Sequence, residues 1–311
     1  MLKKKDITSL KSNRCNSKSL SLLSHFSVMF RILKVFRLGK VFSILLGVFT
    51  ISLYAYGSID FLHDQTNVLK MTFALTSLFF LLCAGYLMND YCDLEYDLIN
   101  KPQNIYVTKV ISKKNAKRIS LILFLTGLIT AAGVNFYFFS IIILDMVILA
   151  FYNLYSKKLS VLKSLIVTSL IISIYPLSFA LTSGGNPSLH RDSLFIFPVW
   201  LFFVVMSYEL SQDILDIKGD KAKGGNTLPI VIGIKKTRDL ATISALISVP
   251  IVFLPFYYGM CGKMYLIGTL IALTVFVGSL FFKEIIFSKG LLFYIRAITI
   301  SSLIDIIVLK G

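Results

Sequence analysis

The stretch "MTFALTSLFFLLCAGYLMNDYCDLEYDL", residues 71–98, decides the fold class of this chain. It begins as an apolar run long enough to cross a bilayer, since a transmembrane helix needs about 20 apolar residues. It ends in Asn89, Asp90, Asp93 and Asp97. Because carboxylates are costly near hydrocarbon, a cluster of them there marks a functional site. The stretch therefore predicts a membrane helix that carries a functional site at one end.

The composition of the whole chain is typical of a multi-span membrane protein. Of its 311 residues, 56% are hydrophobic and 15% are charged, and the mean hydropathy is +0.79. Soluble domains carry about 25% charged residues. No pattern of alternating strand polarity competes, so a helical bundle is favoured over a barrel. We expect an all-α membrane protein with about nine transmembrane helices, at the apolar runs 39–57, 70–89, 119–136, 138–155, 164–183, 193–212, 240–258, 263–282 and 290–309.

The net charge of +16 is unevenly distributed along the chain. Most Lys and Arg residues lie in residues 1–40 or in the connections after the even-numbered runs. This is the positive-inside pattern of nine spans with a cytoplasmic N-terminus, so the basic charge indicates a membrane surface and no nucleic acid. We predict a polar basic cytoplasmic tail over residues 1–35 and a single transmembrane domain over residues 36–311. The expected location is the bacterial inner membrane, and nothing in the sequence indicates a protein partner.

A second acidic cluster, "DILDIKGD" at residues 213–220, ends the sixth run. Both clusters therefore lie at cytoplasmic helix ends, after even-numbered spans. On unbroken helices the first cluster would fall within an arc of roughly 100° and the second within roughly 60°. Two such carboxylate stripes repel each other unless cations lie between them. Oxygen ligands suit Mg²⁺ or Mn²⁺, and Mg²⁺ is usually held together with substrate phosphates. The alternative is that these carboxylates are solvated charges that limit the membrane span.

The same segments resemble the UbiA-type intramembrane prenyltransferases. "NDYCDLEYD" (89–97) is similar to the first motif of that family, N-D-x-x-D-x-x-x-D, and "DILDIKGD" is similar to its second Asp-rich motif. The resemblance covers about residues 35–310 and implies a nine-helix bundle whose central cavity has its active side toward the cytoplasm. It also implies transfer of a prenyl chain from a prenyl diphosphate to a lipophilic acceptor. Three further segments resemble the family: "INKPQN" (99–104), "LYSKKL" (154–159) and "GGNTLP" (224–229).

Two segments depart from the family pattern. "RLGK" (37–40) stands where many members have Arg-Pro-x-Asn, so Lys40 replaces an asparagine that is often placed near substrate. In "NKPQNIYVTKVIS" (100–112) a second Arg-Pro and a Ser-Gly are missing. Lys101 and Lys109 are expected to replace the diphosphate-binding arginine of that loop.

Residue roles follow from the two clusters together with the resemblance. Two Mg²⁺ ions are expected to neutralise the leaving diphosphate as Lewis acids, which lets the allylic C–O bond ionise. Arg37 and the lysines after the fourth span, including Lys163, have the alternative role of anchoring helices and setting topology. The predicted catalytic and metal-binding residues are Asp90, Asp93, Asp97, Asp216 and Asp220. The predicted substrate-binding residues are Asn89, Arg37, Lys101, Lys109, Tyr155, Ser156, Lys158 and Asp213, the last as an extra acid near the acceptor.

The acceptor is predicted less directly than the donor. The text "QDILDIKGDK" (212–221) most resembles members that prenylate geranylgeranylglyceryl phosphate or aromatic quinone precursors. The additional lysines favour a phosphate-bearing acceptor, so geranylgeranylglyceryl phosphate is expected, with geranylgeranyl diphosphate as donor. An aromatic prenyltransferase of quinone or tocopherol type is the alternative. An ion-coupled transporter is the alternative from another class, although transporters place binding groups near the midplane at broken helices. Asp145, Asp305 and Arg296 receive no role.

Overall fold

The computed structural model describes residues 34–102, 107–182 and 189–309. The predicted tail lies outside these residues except for its last two positions. In the described part, the only β feature is a single bridge between Val107 and Ile111. The α-helices, in chain order, are α1 Leu38–Tyr56, α2 Gln65–Cys92, α3 Leu94–Asn100, α4 Lys113–Ala132, α5 Phe136–Tyr155, α6 Ser160–Ile172, α7 Ile174–Leu181, α8 Leu189–Asp192, α9 Phe197–Leu215, α10 Ile217–Ala222, α11 Leu228–Val231, α12 Ile234–Tyr257, α13 Lys263–Leu280 and α14 Glu284–Leu309.

The prediction of an all-α membrane protein is confirmed. Within the described ranges, nine helical spans are long and apolar enough to cross a membrane, and each coincides with a predicted run. Several spans begin up to six residues earlier than predicted. The span that begins at Lys113 opens with the polar segment "KKNAKR" and is capped by Ser112, whose Oγ accepts from the backbone N–H of Asn115 at 3.3 Å. A hydropathy run does not detect such a first turn, whose lysine stems reach toward water.

The two motif helices are broken, which corrects the expectation of unbroken acidic stripes. α2 ends at Cys92 and α3 begins at Leu94, with Asp93 between them at φ −88° and ψ 5°. α9 and α10 are separated in the same way by Asp216, at φ −96° and ψ 2°. Each break turns the last carboxylates of its motif onto a short helix. The two motifs therefore share a backbone geometry as well as a sequence pattern.

The short helices α3 and α10 pack against each other through Gly219. The backbone N–H of Gly219 donates to Asn100 Oδ1 at 2.6 Å. A Cβ at Gly219 would lie 2.6 Å from the carbonyl oxygen of Tyr96 and from Asn100 Nδ2, so only glycine permits this approach. This contact holds the C-terminal ends of the two motif helices together.

The long helices pack mainly in the pairs α2–α4, α9–α12 and α13–α14. Small residues allow close approach between α2 and α4, as is common in membranes. Ser77 Oγ donates to the carbonyl of Gly127 at 2.7 Å, and Ser120 Oγ donates to the carbonyl of Ala84 at 2.7 Å. These bonds fix the helix that carries the first motif.

Two of the residues without a predicted role take part in this framework. Asp305 accepts from the backbone N–H groups of Gly262, at 2.6 Å, and Tyr265, at 3.1 Å, and so caps the start of α13. Asp145 accepts from Ser173 Oγ at 2.7 Å, where α6 gives way to α7. Capping by a carboxylate satisfies backbone donors that have no partner within their own helix.

Candidate active site

A cavity of about 420 Å³ lies inside the bundle and joins both motifs to an apolar chamber. Its polar end is lined by Asn89, Asp93, Asp97 and Asp216, together with cations. Its wall follows α1 from Arg37 to Tyr54. Seventeen helical residues at 1.5 Å each make this depth about 26 Å. The apolar part is lined by Leu78, Leu81, Leu82, Phe124, Ile142, Met146, Leu149, Ile174, Leu194, Phe197, Trp200 and Leu201, among others.

The first motif places two carboxylates on the cavity wall and one behind it. Asp90 is buried and pairs with the guanidinium of Arg37. Asn89 Nδ2 donates to Asp93 Oδ2 at 3.1 Å, which orients that carboxylate. Burial raises the pKa of Asp93 above its usual value. Burial, reinforced by the neighbouring carboxylates, raises the pKa of Asp97 to about 6. The first motif therefore concentrates negative charge that a bound cation would relieve.

The second motif is held by lysines. Asp216 lies 2.7 Å from Lys101 Nζ, and Asp220 lies 3.0 Å from Lys157 Nζ. The same Lys157 Nζ is 3.9 Å from Asp93 Oδ2, so one ammonium group bridges the two motifs. The exposed fraction of the Asp220 side chain is 0%, and its Oδ2 has no hydrogen-bond partner in the described structure.

Asp213 lies deeper than the rest of the second motif. It is buried and pairs with the equally buried ammonium of Lys163, while its Oδ2 has no hydrogen-bond partner in the described structure. Lys163 therefore belongs to the buried charge network of the second motif. Asp213 itself is absent from the cavity wall. Its place is behind the wall, where it holds Lys163.

The donor set fits hard divalent cations that arrive with a phosphate ligand. Among the residues the structure describes, no three His, Cys, Asp or Glu side chains form a ready-made metal cluster. The motif carboxylates instead pair with Arg and Lys, or crowd one another. Mg²⁺ is usually bound by a few carboxylates plus substrate phosphates, and all the donors here are oxygens. The unpartnered Asp220 oxygen and the raised pKa of Asp97 are the observations that favour a cation at this end.

The predicted substrate-binding residues divide into two groups. Asn89, Arg37 and Lys101 line the cavity. The other predicted residues do not: Lys109 is exposed and donates to the carbonyl of Pro102 at 2.7 Å, and Tyr155 and Lys158 are also exposed. Ser156 is buried but lies off the cavity wall.

Sequence reasoning missed several polar residues on the cavity wall. Lys157 lines the cavity, whereas the sequence predicts its neighbour Lys158 as the substrate-binding lysine. Glu209 and Gln212 precede the second motif on α9 and also line the cavity. The signal for Glu209 is in the sequence, because it lies three residues before Gln212 and seven before Asp216 and so shares their helix face. Five tyrosines also line the cavity: Tyr54, Tyr86, Tyr152, Tyr175 and Tyr208.

The wall between α1 and α14 borders a second groove on the outside of the bundle. This groove is lined by Phe42, Leu46 and Ile300, and it shares Ser43, Ile295, Arg296 and Thr299 with the main cavity. Arg296, which received no predicted role, donates to Ser43 Oγ at 2.9 Å and to the carbonyl of Gly39 at 3.2 Å. The cavity thus has one wall that faces the surrounding lipid.

The sequence profile of the UbiA prenyltransferase family matches residues 35–284. The chain belongs to this family. It is therefore a multi-pass membrane prenyltransferase, which removes the transporter alternative.

Two similar proteins of known name are both digeranylgeranylglyceryl phosphate synthases. A digeranylgeranylglyceryl phosphate synthase of Sulfurisphaera tokodaii is 32% identical over 205 residues, covering 65% of this chain and 71% of the relative. The protein of the same name from Sulfolobus acidocaldarius is 34% identical over 214 residues, covering 65% and 74%.

Solved structures support the fold. A structure described for digeranylgeranylglyceryl phosphate synthase in membranes has a TM-score of 0.64 at 23% identity and covers 90% of this chain and 99% of its own. A UbiA homologue from Archaeoglobus fulgidus bound to DMAPP and Mg²⁺ has a TM-score of 0.58 at 16% identity, covering 86% and 99%. These two likenesses show that the present chain shares the fold of both proteins.

Proposed function

We propose that this protein transfers a geranylgeranyl group from geranylgeranyl diphosphate to a hydroxyl of geranylgeranylglyceryl phosphate, with two Mg²⁺ ions bound beside the diphosphate. The observation that carries the donor half is the cavity itself, which joins two carboxylate motifs to a long apolar chamber. The names of the curated relatives support the acceptor. The A. fulgidus homologue bound to DMAPP and Mg²⁺ supports the metal and the diphosphate.

The residues at the polar end would bind the leaving group. Mg²⁺ supplies Lewis-acid neutralisation of the diphosphate when bound. Asp93, Asp97 and Asp216 lie on the wall where they would hold it, with Asp220 and Asp90 just behind. Arg37, Lys101 and Lys157 would donate charge-assisted hydrogen bonds to the diphosphate oxygens once the carboxylates they pair with turn to the metal.

The transfer step needs only the two substrates and a proton acceptor that this chain supplies. The bond between the allylic carbon and the diphosphate oxygen breaks, and its electron pair leaves with the diphosphate. The acceptor hydroxyl oxygen then forms the new C–O bond and releases its proton. Glu209 is the proposed proton acceptor, because it lines the cavity and, among the described residues, forms no ion pair. Tyr86, Tyr152 and Tyr208 line the cavity in which the cationic carbon would form, and the apolar chamber would exclude water from it.

The polar end of the cavity, with both acidic motifs, is proposed to lie on the cytoplasmic side of the membrane. The positive-inside distribution supports this orientation, because the basic connections follow the motif helices. A cytoplasmic opening would admit the soluble diphosphate head, while the prenyl tail lies in the apolar chamber. We also propose that the transmembrane domain begins at residue 36, after the basic tail.

The test is product formation by purified protein in detergent, with geranylgeranyl diphosphate and geranylgeranylglyceryl phosphate, with Mg²⁺ or with EDTA. Asp93→Asn and Asp216→Asn are expected to lower kcat by roughly 100-fold or more, the scale of losing one electrostatic transition-state contact. Asp239→Asn is the matched control, because Asp239 is exposed and lies off the cavity. Full activity in EDTA, or equal loss in the control, would refute the mechanism. Turnover with an aromatic acid alone would refute the acceptor.

A further inference from the structure

Lys40 and Arg296 are cations of the cavity wall that the diphosphate chemistry does not use. Four other cations on this wall each pair with a carboxylate. Lys40 and Arg296 have no carboxylate oxygen within 4.0 Å in the part of the chain that the structure describes. The paired cations are Arg37, Lys101, Lys157 and Lys163.

Lys40 lies near the start of α1, and Arg296 of α14 contacts the same part of that helix. Lys40 Nζ donates to Tyr208 Oη at 2.9 Å, which directs its ammonium into the cavity. The guanidinium of Arg296 reaches across from α14 to Gly39 and Ser43. The first helix turn therefore positions an ammonium and a guanidinium together, although they come from residues far apart in sequence.

This turn belongs to the wall between the cavity and the outer groove. Arg296 and Ser43 line both spaces. A lipid acceptor reaches the enzyme from the bilayer, and its polar head travels at the level of the cytoplasmic helix ends. The head of an acceptor that enters through this wall would pass Arg296 first and Lys40 second.

We infer that Lys40 and Arg296 form the binding subsite for the phosphate group of the acceptor. This inference rests on the proposed function and names the residues that select its acceptor. A phosphate monoester has up to two negative charges and three oxygens, which match a guanidinium fork and a compact ammonium. Glu209 lines the same cavity as Lys40, so the hydroxyl beside a phosphate held by Lys40 would share this space with the Glu209 carboxylate. Acceptors without an anionic head would leave both cations without a counter-charge.

The inference is tested with Lys40→Met and Arg296→Gln, and with the charge-retaining Lys40→Arg and Arg296→Lys. Kinetics are measured with geranylgeranylglyceryl phosphate and with geranylgeranylglycerol, which lacks the phosphate. We expect KM for the phosphate acceptor to rise roughly tenfold or more, the scale of a lost charged hydrogen bond. KM for geranylgeranyl diphosphate and for the neutral acceptor should stay within about twofold of wild type, and the charge-retaining variants should recover part of the loss. Lys289→Gln is the control, since Lys289 is an exposed cation on α14 outside both spaces.

Two other kinetic outcomes overturn the inference. Equal losses with both acceptors would show that Arg296 only ties α14 to α1. A raised KM for geranylgeranyl diphosphate would assign the two cations to the donor. A parallel binding measurement, with geranylgeranylglyceryl phosphate and metal-free protein, separates this inference from the proposed function. If the wild-type protein binds this lipid through Lys40 and Arg296 but shows no turnover, the proposed function is refuted and the subsite stands. If the variants turn over with an unchanged KM for the phosphate acceptor, the subsite is refuted and the proposed function stands.

Discussion

The two acidic motifs share a backbone break but differ in how their carboxylates are held. In the first motif, Asp93 has an exposed fraction of 16%, and Asp97 forms no ion pair within the described residues. In the second motif, the exposed fractions of Asp213 and Asp220 are 1% and 0%, and each pairs with a lysine. Asp93 and Asp97 of the first motif can therefore exchange partners when metal and diphosphate arrive, while Asp90 is held by Arg37. The second is mainly a fixed charge framework, with Asp216 as its accessible member.

The largest effect should come from breaking the buried pair of the second motif. Lys163→Met would leave Asp213 as an uncompensated buried charge, which should lower the free energy of unfolding by roughly 3 kcal/mol. Thermal unfolding in detergent measures this change. The double variant Lys163→Met/Asp213→Leu should recover most of the loss, because it removes both charges. A double variant as unstable as the single one would contradict the view of this pair as a charge framework.

Asp97→Asn, in the first motif, should lower activity without lowering stability. The first motif is proposed to act on the bound metal, so kcat should fall by roughly 100-fold. The melting temperature of the metal-free protein should stay the same or rise, since removing a crowded, partly buried negative charge relieves repulsion. Activity and thermal unfolding on one preparation give both values. A large loss of stability in this variant would erase the distinction between the motifs.

The sequence predicted the fold well because run length and loop charge are strong signals in a membrane protein. All nine runs correspond to spans, and the errors lie at polar first turns such as Lys113–Arg118, which hydropathy cannot detect. The breaks at Asp93 and Asp216 were not predicted, because neither position has a Pro or Gly to mark them. Lys157 and Lys158 look equivalent in sequence, and only the packed structure shows which of them reaches the carboxylates.

The contact between α3 and α10 offers a way to loosen one motif from the other. Gly219→Ala would place a Cβ 2.6 Å from the Tyr96 carbonyl oxygen, so the short helices must move apart. Misplacing catalytic groups by a fraction of an ångström to an ångström is costly, and we expect activity to fall roughly tenfold. Gly278→Ala is the matched control, because a Cβ there meets no atom within 4 Å. Equal activity of the two variants would show that the motifs need no such tie.

The pH dependence of the metal-free protein should report the crowding of the first motif. The pKa of Asp97 is raised from 3.8 to about 6, so between these pH values the folded state binds more protons than the unfolded state. Stability should therefore fall as pH rises from about 4 to 6, by about 1 kcal/mol after allowance for solvent screening. Denaturant titrations in EDTA across this range measure it, with Asp97→Asn as the control that should flatten the slope. A wild-type slope equal to that of the variant would contradict the assignment.

The smallest expected effect is that of Lys158, which is compared with its neighbour Lys157. Lys157 bridges Asp93 and Asp220, whereas Lys158 is exposed and lies off the cavity. Lys158→Gln should change kcat and KM by less than about twofold, because a solvated surface charge contributes little. Lys157→Gln should lower kcat/KM by at least about tenfold, since it removes the ammonium group shared by both motifs. The pair has matched chemistry and adjacent positions, so steady-state kinetics isolate the effect of position. Equal kinetics in the two variants would show that the bridge between the motifs has no part in turnover.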